Sequence, residues 1–182
     1  MIADRGFLLP IFIGIVMVRS GRTLVPPGPP SSSPACAKPP LDNCSFYPNC
    51  LESRYRCGPS GYPIKYGQHY CEKFSNERSL LNSQGQQWMI DTMQCLQIAL
   101  VPEAIDINTT TCQTLNDQAF GTHAPCYVDN GLCTLGLHNW VAILEIVDIR
   151  TFFQSWDAFK ATVEATAECA ELFAFLIGKG LF

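Results

Sequence analysis

Histidine is scarce in this 182-residue chain, with three in all, and charged residues make up only 15% of it. The three imidazoles, His69, His123 and His138, fall in no nucleophile or metalloprotease motif. The carboxylates are scattered and identify no general acid and base. Basic residues form no run or cluster and the formal net charge is −4, so bulk electrostatics draw neither nucleic acid nor anionic lipid. Beyond the first twenty residues no apolar run has the length of a transmembrane helix. Alternation at period two, internal repeats and further low-complexity stretches are also missing, which argues against a sheet or solenoid fold.

What the chain does have is ten cysteines: Cys36, Cys44, Cys50, Cys57, Cys71, Cys95, Cys112, Cys126, Cys133 and Cys169. All of them follow an export-like N-terminus. Arg5 precedes an apolar run from Phe7 to Val18, and Val18 and Ser20 form a small-residue cleavage site before Gly21. Residues 1–20 are therefore expected to be a signal peptide, with an uncleaved anchor as the alternative. Their removal leaves 162 residues, one domain with a core, and a net charge of −5. An even cysteine count in an exported chain reads as a disulfide framework with no free thiol, in an extracellular protein without a membrane span.

Residues 21–40 are expected to form a Pro/Ser-rich exposed tether, pinned at its end by Cys36, with the domain spanning 36–182. Between Cys44 and Cys71 the Gly58-Pro59-Ser60-Gly61-Tyr62-Pro63 segment predicts short helical turns and loops. Met89, Met93, Leu96 and Leu100 recur at helical spacing, with Ser83 as candidate cap and Pro102 as the stop. A shorter helix follows Cys112, carrying Leu115, Ala119 and Phe120, and Gly121 and Pro125 break it before Cys126. Asn139 is the candidate cap of a helix from Trp140 to about Ile149. Ser155 is the candidate cap of one long last helix through Trp156, Phe159, Val163, Ala167, Ala170, Phe173 and Ile177, ended by Gly178 and Gly180. The expected fold is all-α: a compact domain of four to five helices stapled by five intrachain disulfides.

Cys126 with His123 could form a thiol–imidazole pair, and Cys126, Cys133, His123 and His138 have the residue types of a zinc site. Structural disulfides are the stronger reading, because oxidised sulfur is neither nucleophile nor thiolate ligand. Asp129-Asn130-Gly131 reads as a turn, since the other ligands of a calcium loop are missing. No catalytic residue, metal or cofactor is expected. Two sequons, Asn43-Cys44-Ser45 and Asn108-Thr109-Thr110, are candidate glycosylation sites, with Asn108 the better placed. Trp88, Trp140, Phe152, Phe153, Trp156 and Phe159 read as core aromatics. The tail around Phe173, Leu176 and Ile177 is apolar on more than one side and is a candidate subunit interface.

The cysteine register, with Cys50-Leu51-Glu52, Gln84-Gly85-Gln86 ahead of a helix to Cys95, Cys126-Tyr127 before Cys133, and the helix after Asn139, resembles the stanniocalcins, secreted glycoprotein hormones. The resemblance runs from about Cys36 to Cys169, with a longer Cys57-to-Cys71 interval here. It implies the pairs Cys36–Cys50, Cys44–Cys71, Cys57–Cys112, Cys95–Cys126 and Cys133–Cys169, which spacing alone does not determine. It also implies a non-enzymatic regulatory ligand that binds a receptor or extracellular protein, as the family does in inhibiting a secreted metalloprotease. The family's eleventh, subunit-linking cysteine and its sequon at Glu52-Ser53-Arg54 are missing here, so any homodimer is expected to be non-covalent. A structural or host-interacting factor is the alternative, followed by an enzyme or lipid carrier with a cavity among the helices.

Overall fold

The computed structural model describes residues 27–106, 110–147 and 156–181. The export segment and its cleavage before Gly21, Asn108, Phe152, Phe153 and the candidate cap Ser155 lie outside them. Among the described residues the protein is all helix and turn, with no strand.

The N-terminal third is built from short pieces. Helix α1 (Pro34–Ala37) precedes a π-helical turn, Tyr47–Glu52, that continues into α2 (Ser53–Tyr55). A second π-helical segment, Pro63–Gln68, leads into α3 (His69–Asn76). The residues expected to be an exposed tether are, from 27 onward, laid on the domain. Gly28 N–H donates to the Arg54 carbonyl at 2.7 Å and Ser31 N–H to the Ala104 carbonyl at 2.9 Å. From α4 (Ser83–Ala99), Gln94 Nε2 donates to the Pro39 carbonyl at 2.9 Å and Gln97 Nε2 to the Asn43 carbonyl at 2.7 Å. These two amides fasten the chain around Pro39 and Asn43 to α4 and satisfy two of its backbone carbonyls.

Helix α4 caps one residue earlier than expected. Asn82, not Ser83, is the N-cap, and its Oδ1 accepts from Gly85 N–H at 3.0 Å. The helix ends at Ala99, and Pro102 lies in the first turn of α5 (Val101–Ile105), where its missing N–H removes no helical bond. Helix α6 (Cys112–Asp129) corrects a second expectation: it runs 18 residues straight through Gly121 and Pro125. Proline at 125 has no N–H to give the Gly121 carbonyl, so the helix continues through it with one bond fewer.

Helix α7 spans Gly136–Ile146 and contains Asn139 rather than being capped by it. The expected long last helix is two: α8 (Trp156–Ala165) and α9 (Ala170–Gly178). Thr166, at φ −99° and ψ 113°, is extended, and a 3₁₀ turn, Ala167–Cys169, leads into α9. Gly180, at φ +69°, closes α9, with Leu181 N–H donating to the Leu176 carbonyl at 3.0 Å and Gly180 N–H to the Ile177 carbonyl at 2.8 Å. This 6→1 and 5→2 pair is a Schellman motif, for which glycine is the low-cost residue.

Helices α4, α6 and α8 pack side by side on one core, with α9 against α7. Trp88, Trp140 and Phe159 are buried there, and both indole N–H groups are satisfied: Trp88 Nε1 by the Tyr127 carbonyl at 3.1 Å, Trp140 Nε1 by the Leu132 carbonyl at 2.7 Å.

Candidate functional site

Five disulfides join Cys36–Cys50, Cys44–Cys71, Cys57–Cys112, Cys95–Cys126 and Cys133–Cys169, with Cα separations from 4.6 to 5.7 Å. No cysteine is free. The first four interleave: each begins inside the loop closed by the one before it. Cys95–Cys126 ties α4 to α6, and Cys133–Cys169 ties the turn before α7 to the turn before α9. In the chain-entropy model the Cys57–Cys112 bridge, which spans 55 residues, contributes about 4 kcal/mol.

Neither Cys126 nor Cys133 carries a thiol, since both are bridged. His123 instead faces the Tyr62 hydroxyl, with Nε2 3.2 Å from the oxygen, and packs among Phe120, Tyr62 and Tyr127. Burial lowers its pKa to about 4, so the ring is neutral at ordinary pH and Nε2 can accept the phenolic proton. Burial likewise raises the Tyr47, Tyr62 and Tyr127 hydroxyls, which keeps the whole cluster uncharged. His69 and His138 are exposed and stand on other elements. No metal-binding cluster occurs among the described residues. At Asp129-Asn130-Gly131, Asn130 Nδ2 donates to the Cys126 carbonyl at 2.7 Å and Gly131 has φ +95°, the geometry of a turn that ends α6.

These rings form an aromatic lattice between the Pro63–Gln68 segment, α3, α4 and α6. Tyr62 meets Phe120 edge-on at 5.5 Å, Tyr66 meets Phe120 at 5.1 Å, and Phe74 meets Trp88 at 6.2 Å. With Met89, Thr92 and Met93 of α4 they line a partly open cavity of about 60 Å³. The Gly58–Pro63 insert thus delivers Tyr62 to the core, a role that its turn chemistry alone did not reveal.

Arg54, only 2% exposed, is a buried cation that sequence reasoning missed. Its Nη1 donates to the Glu103 carbonyl at 2.7 Å and its Nη2 to the Asp106 carbonyl at 2.6 Å, so it caps the C-terminal, negative end of α5. Its arginine-to-carbonyl bonds link the Cys50–Cys57 region to the chain leading to Asn108.

Asn43 is exposed, and its Oδ1 accepts from Ser45 N–H at 2.8 Å while Cys44 is bridged to Cys71. At the tail, Leu176 is in the core, Phe173 packs partly against it and Ile177 is 50% exposed. No described helix is long and apolar enough to cross a membrane.

An all-helical domain held by five internal bridges, with an uncharged aromatic centre, defines a disulfide-framed scaffold. Its sequence matches the model of the stanniocalcin family over residues 36–181, and the chain belongs to that family. No curated protein and no solved structure matches it. Family membership and the disulfide-rich fold fit a secreted, hormone-like protein.

Proposed function

We propose that this protein is a secreted, non-catalytic regulatory glycoprotein of the stanniocalcin type, acting by binding a receptor or another extracellular protein. The observation that carries the reading is the family match from the first cysteine to beyond the last, over the whole bridged frame. Five bridges suit a surface that must keep its shape outside the cell, where thiols pair and persist. Every cysteine sulfur is bonded within the chain, which leaves none of these ten for a disulfide between subunits. The exposure of Asn43, with the sequon at Asn108, supports glycan attachment in the secretory pathway.

Crosslinking of tagged, mature protein in conditioned medium, followed by mass spectrometry of captured partners, tests this. A saturable extracellular partner, lost on prior reduction of the disulfides, is expected. Intact mass should begin near Gly21, with no alkylation before reduction. Retention of the protein inside cells, or a labelled free thiol, would count against the proposal.

A further inference from the structure

A disulfide opens when a thiolate attacks one sulfur and the other leaves as a thiolate. The sulfur attacked must be reachable, and the sulfur expelled must carry the charge. Cys36–Cys50 and Cys133–Cys169 are buried at both ends. Cys44–Cys71 and Cys95–Cys126 each have one buried member, Cys71 and Cys126. Attack on the open end of either expels a thiolate into the core, where apolar surroundings disfavour it. Cys57–Cys112 is the one bridge with both cysteines partly exposed.

Its two ends are also unequal. Cys112 is the first residue of α6, which runs 18 residues, so a thiolate there meets the positive end of the helix and its unpaired N–H groups. Cys169 stands at the N-cap of α9 but is fully buried. Attack on Cys57, with Cys112 as the leaving sulfur, is the favoured route.

The same bridge is the central link of the frame. It begins inside the loop closed by Cys44–Cys71 and ends inside the loop closed by Cys95–Cys126. Without it the remaining bridges close 36–71, 95–126 and 133–169 separately. Residues 72–94, with Lys73 and Arg78, then lie under no bridge at all.

We propose that Cys57–Cys112 is a thiol-exchange site, opened by a dithiol reductant of the Cys-x-x-Cys type, and that its opening uncouples the N-terminal module from the helices of the frame. The reductant's thiolate attacks Cys57 Sγ, and the electron pair of the broken S–S bond leaves on Cys112 Sγ. The reductant's second thiolate then attacks its own sulfur in the mixed disulfide and expels Cys57. Two electrons have passed to the bridge, the dithiol has become a disulfide, and its two protons end on Cys57 and Cys112. The chemistry belongs to the bridge and holds whichever outer partner docks.

The test uses mature, fully oxidised protein with reduced thioredoxin, kept reduced by its NADPH-dependent reductase. Samples are quenched with N-ethylmaleimide over time and mapped by peptide mass. Cys57 and Cys112 are expected to label together, at least about tenfold faster than any other pair. Trypsin then supplies a covalent readout: after that labelling, cuts at Lys73 or Arg78 should part the chain on a non-reducing gel, whereas the oxidised protein stays joined. Two surface variants probe the leaving group, since Gln113 is exposed beside Cys112 in the first turn of α6. Gln113→Lys should speed opening about threefold and Gln113→Glu slow it about threefold, with the melting temperature of the oxidised protein little changed. The proposal is overturned if another bridge opens first, if all five open in one step, or if both Gln113 variants open at the wild-type rate.

Discussion

At Gly85 the Asn139 carboxamide stands where a side chain would have to go. Asn139 Oδ1 accepts from Asn82 N–H at 3.1 Å, and its Nδ2 donates to Asn82 Oδ1 at 2.9 Å and to the Leu135 carbonyl at 2.9 Å. One buried amide of α7 thus braces the cap of α4 across 57 residues of chain. Gly85→Ala is expected to cost about 1–3 kcal/mol by overpacking. Asn139→Ala should cost about 2 kcal/mol by orphaning the Asn82 N–H. The two together should cost clearly less than the sum, because the second change removes the obstacle met by the first. Denaturant unfolding with disulfides intact measures all three, and additive losses would refute the contact. Sequence patterns placed a capping residue at 83 and at 139 because each is locally adequate; the choice of Asn82 depends on a partner that only the fold brings near.

His123 adds a pH dependence at the same scale. Its folded pKa of about 4 lies below the ordinary value of 6.5, so between these limits the unfolded chain takes up a proton that the folded one refuses. Stability from this group is full above about pH 6.5 and is lost as pH falls toward 4. His123→Phe removes the effect: the stability gap between wild type and variant should narrow as the pH is lowered from 6.5 to 4 in urea titrations. A gap independent of pH across that window would show that the ring is not held neutral by burial.

Among the elements, the last helical stretch separates what periodicity reveals from what it hides. The apolar spacing from Phe159 to Ile177 holds a helical period, yet Thr166 breaks it so that Cys169 can reach Cys133, with Cα atoms 4.6 Å apart. Through the 3₁₀ turn the buried face moves by one residue. Phe159 and Val163 are buried in α8, and in α9 the inward positions are Leu172 and Leu176 rather than Phe173 and Ile177. Period alone cannot register such a slip, because both faces of α9 are apolar. Leu172→Ala should therefore cost about 2–5 kcal/mol, and Ile177→Ala less than about 1 kcal/mol, in equilibrium unfolding. Equal losses would restore the unbroken helix. Pro125 shows the converse error: a strong local breaker was overridden by the packing of α6 against α4 and α8.

For the molecule as a whole, composition and cysteine count made the all-α, bridged class legible, since a chain without two-residue alternation has few other ways to bury its apolar half. The aromatic cavity was not legible, because its rings come from segments far apart in sequence that only tertiary packing assembles. Self-association also belongs to this scale. If the end of α9 is the contact, Ile177 is the cleaner probe than Phe173, being 50% exposed and little needed by the monomer. Ile177→Asp should shift a dimer toward monomer in sedimentation while circular dichroism stays unchanged. An unaltered dimer in the folded variant would move the contact elsewhere.

The interleaving of the first four bridges also decides how the protein withstands proteases. Every peptide bond from Cys36 to Cys126 is spanned by at least one bridge, and every bond from Cys133 to Cys169 by another. A single nick anywhere in those stretches leaves both fragments joined, so a clipped molecule keeps its full mass on a non-reducing gel. Only a cut between Cys126 and Cys133, within the end of α6 and the Asp129–Gly131 turn, parts the bridged frame into two. That short stretch is the one place where a single scission could retire the whole scaffold.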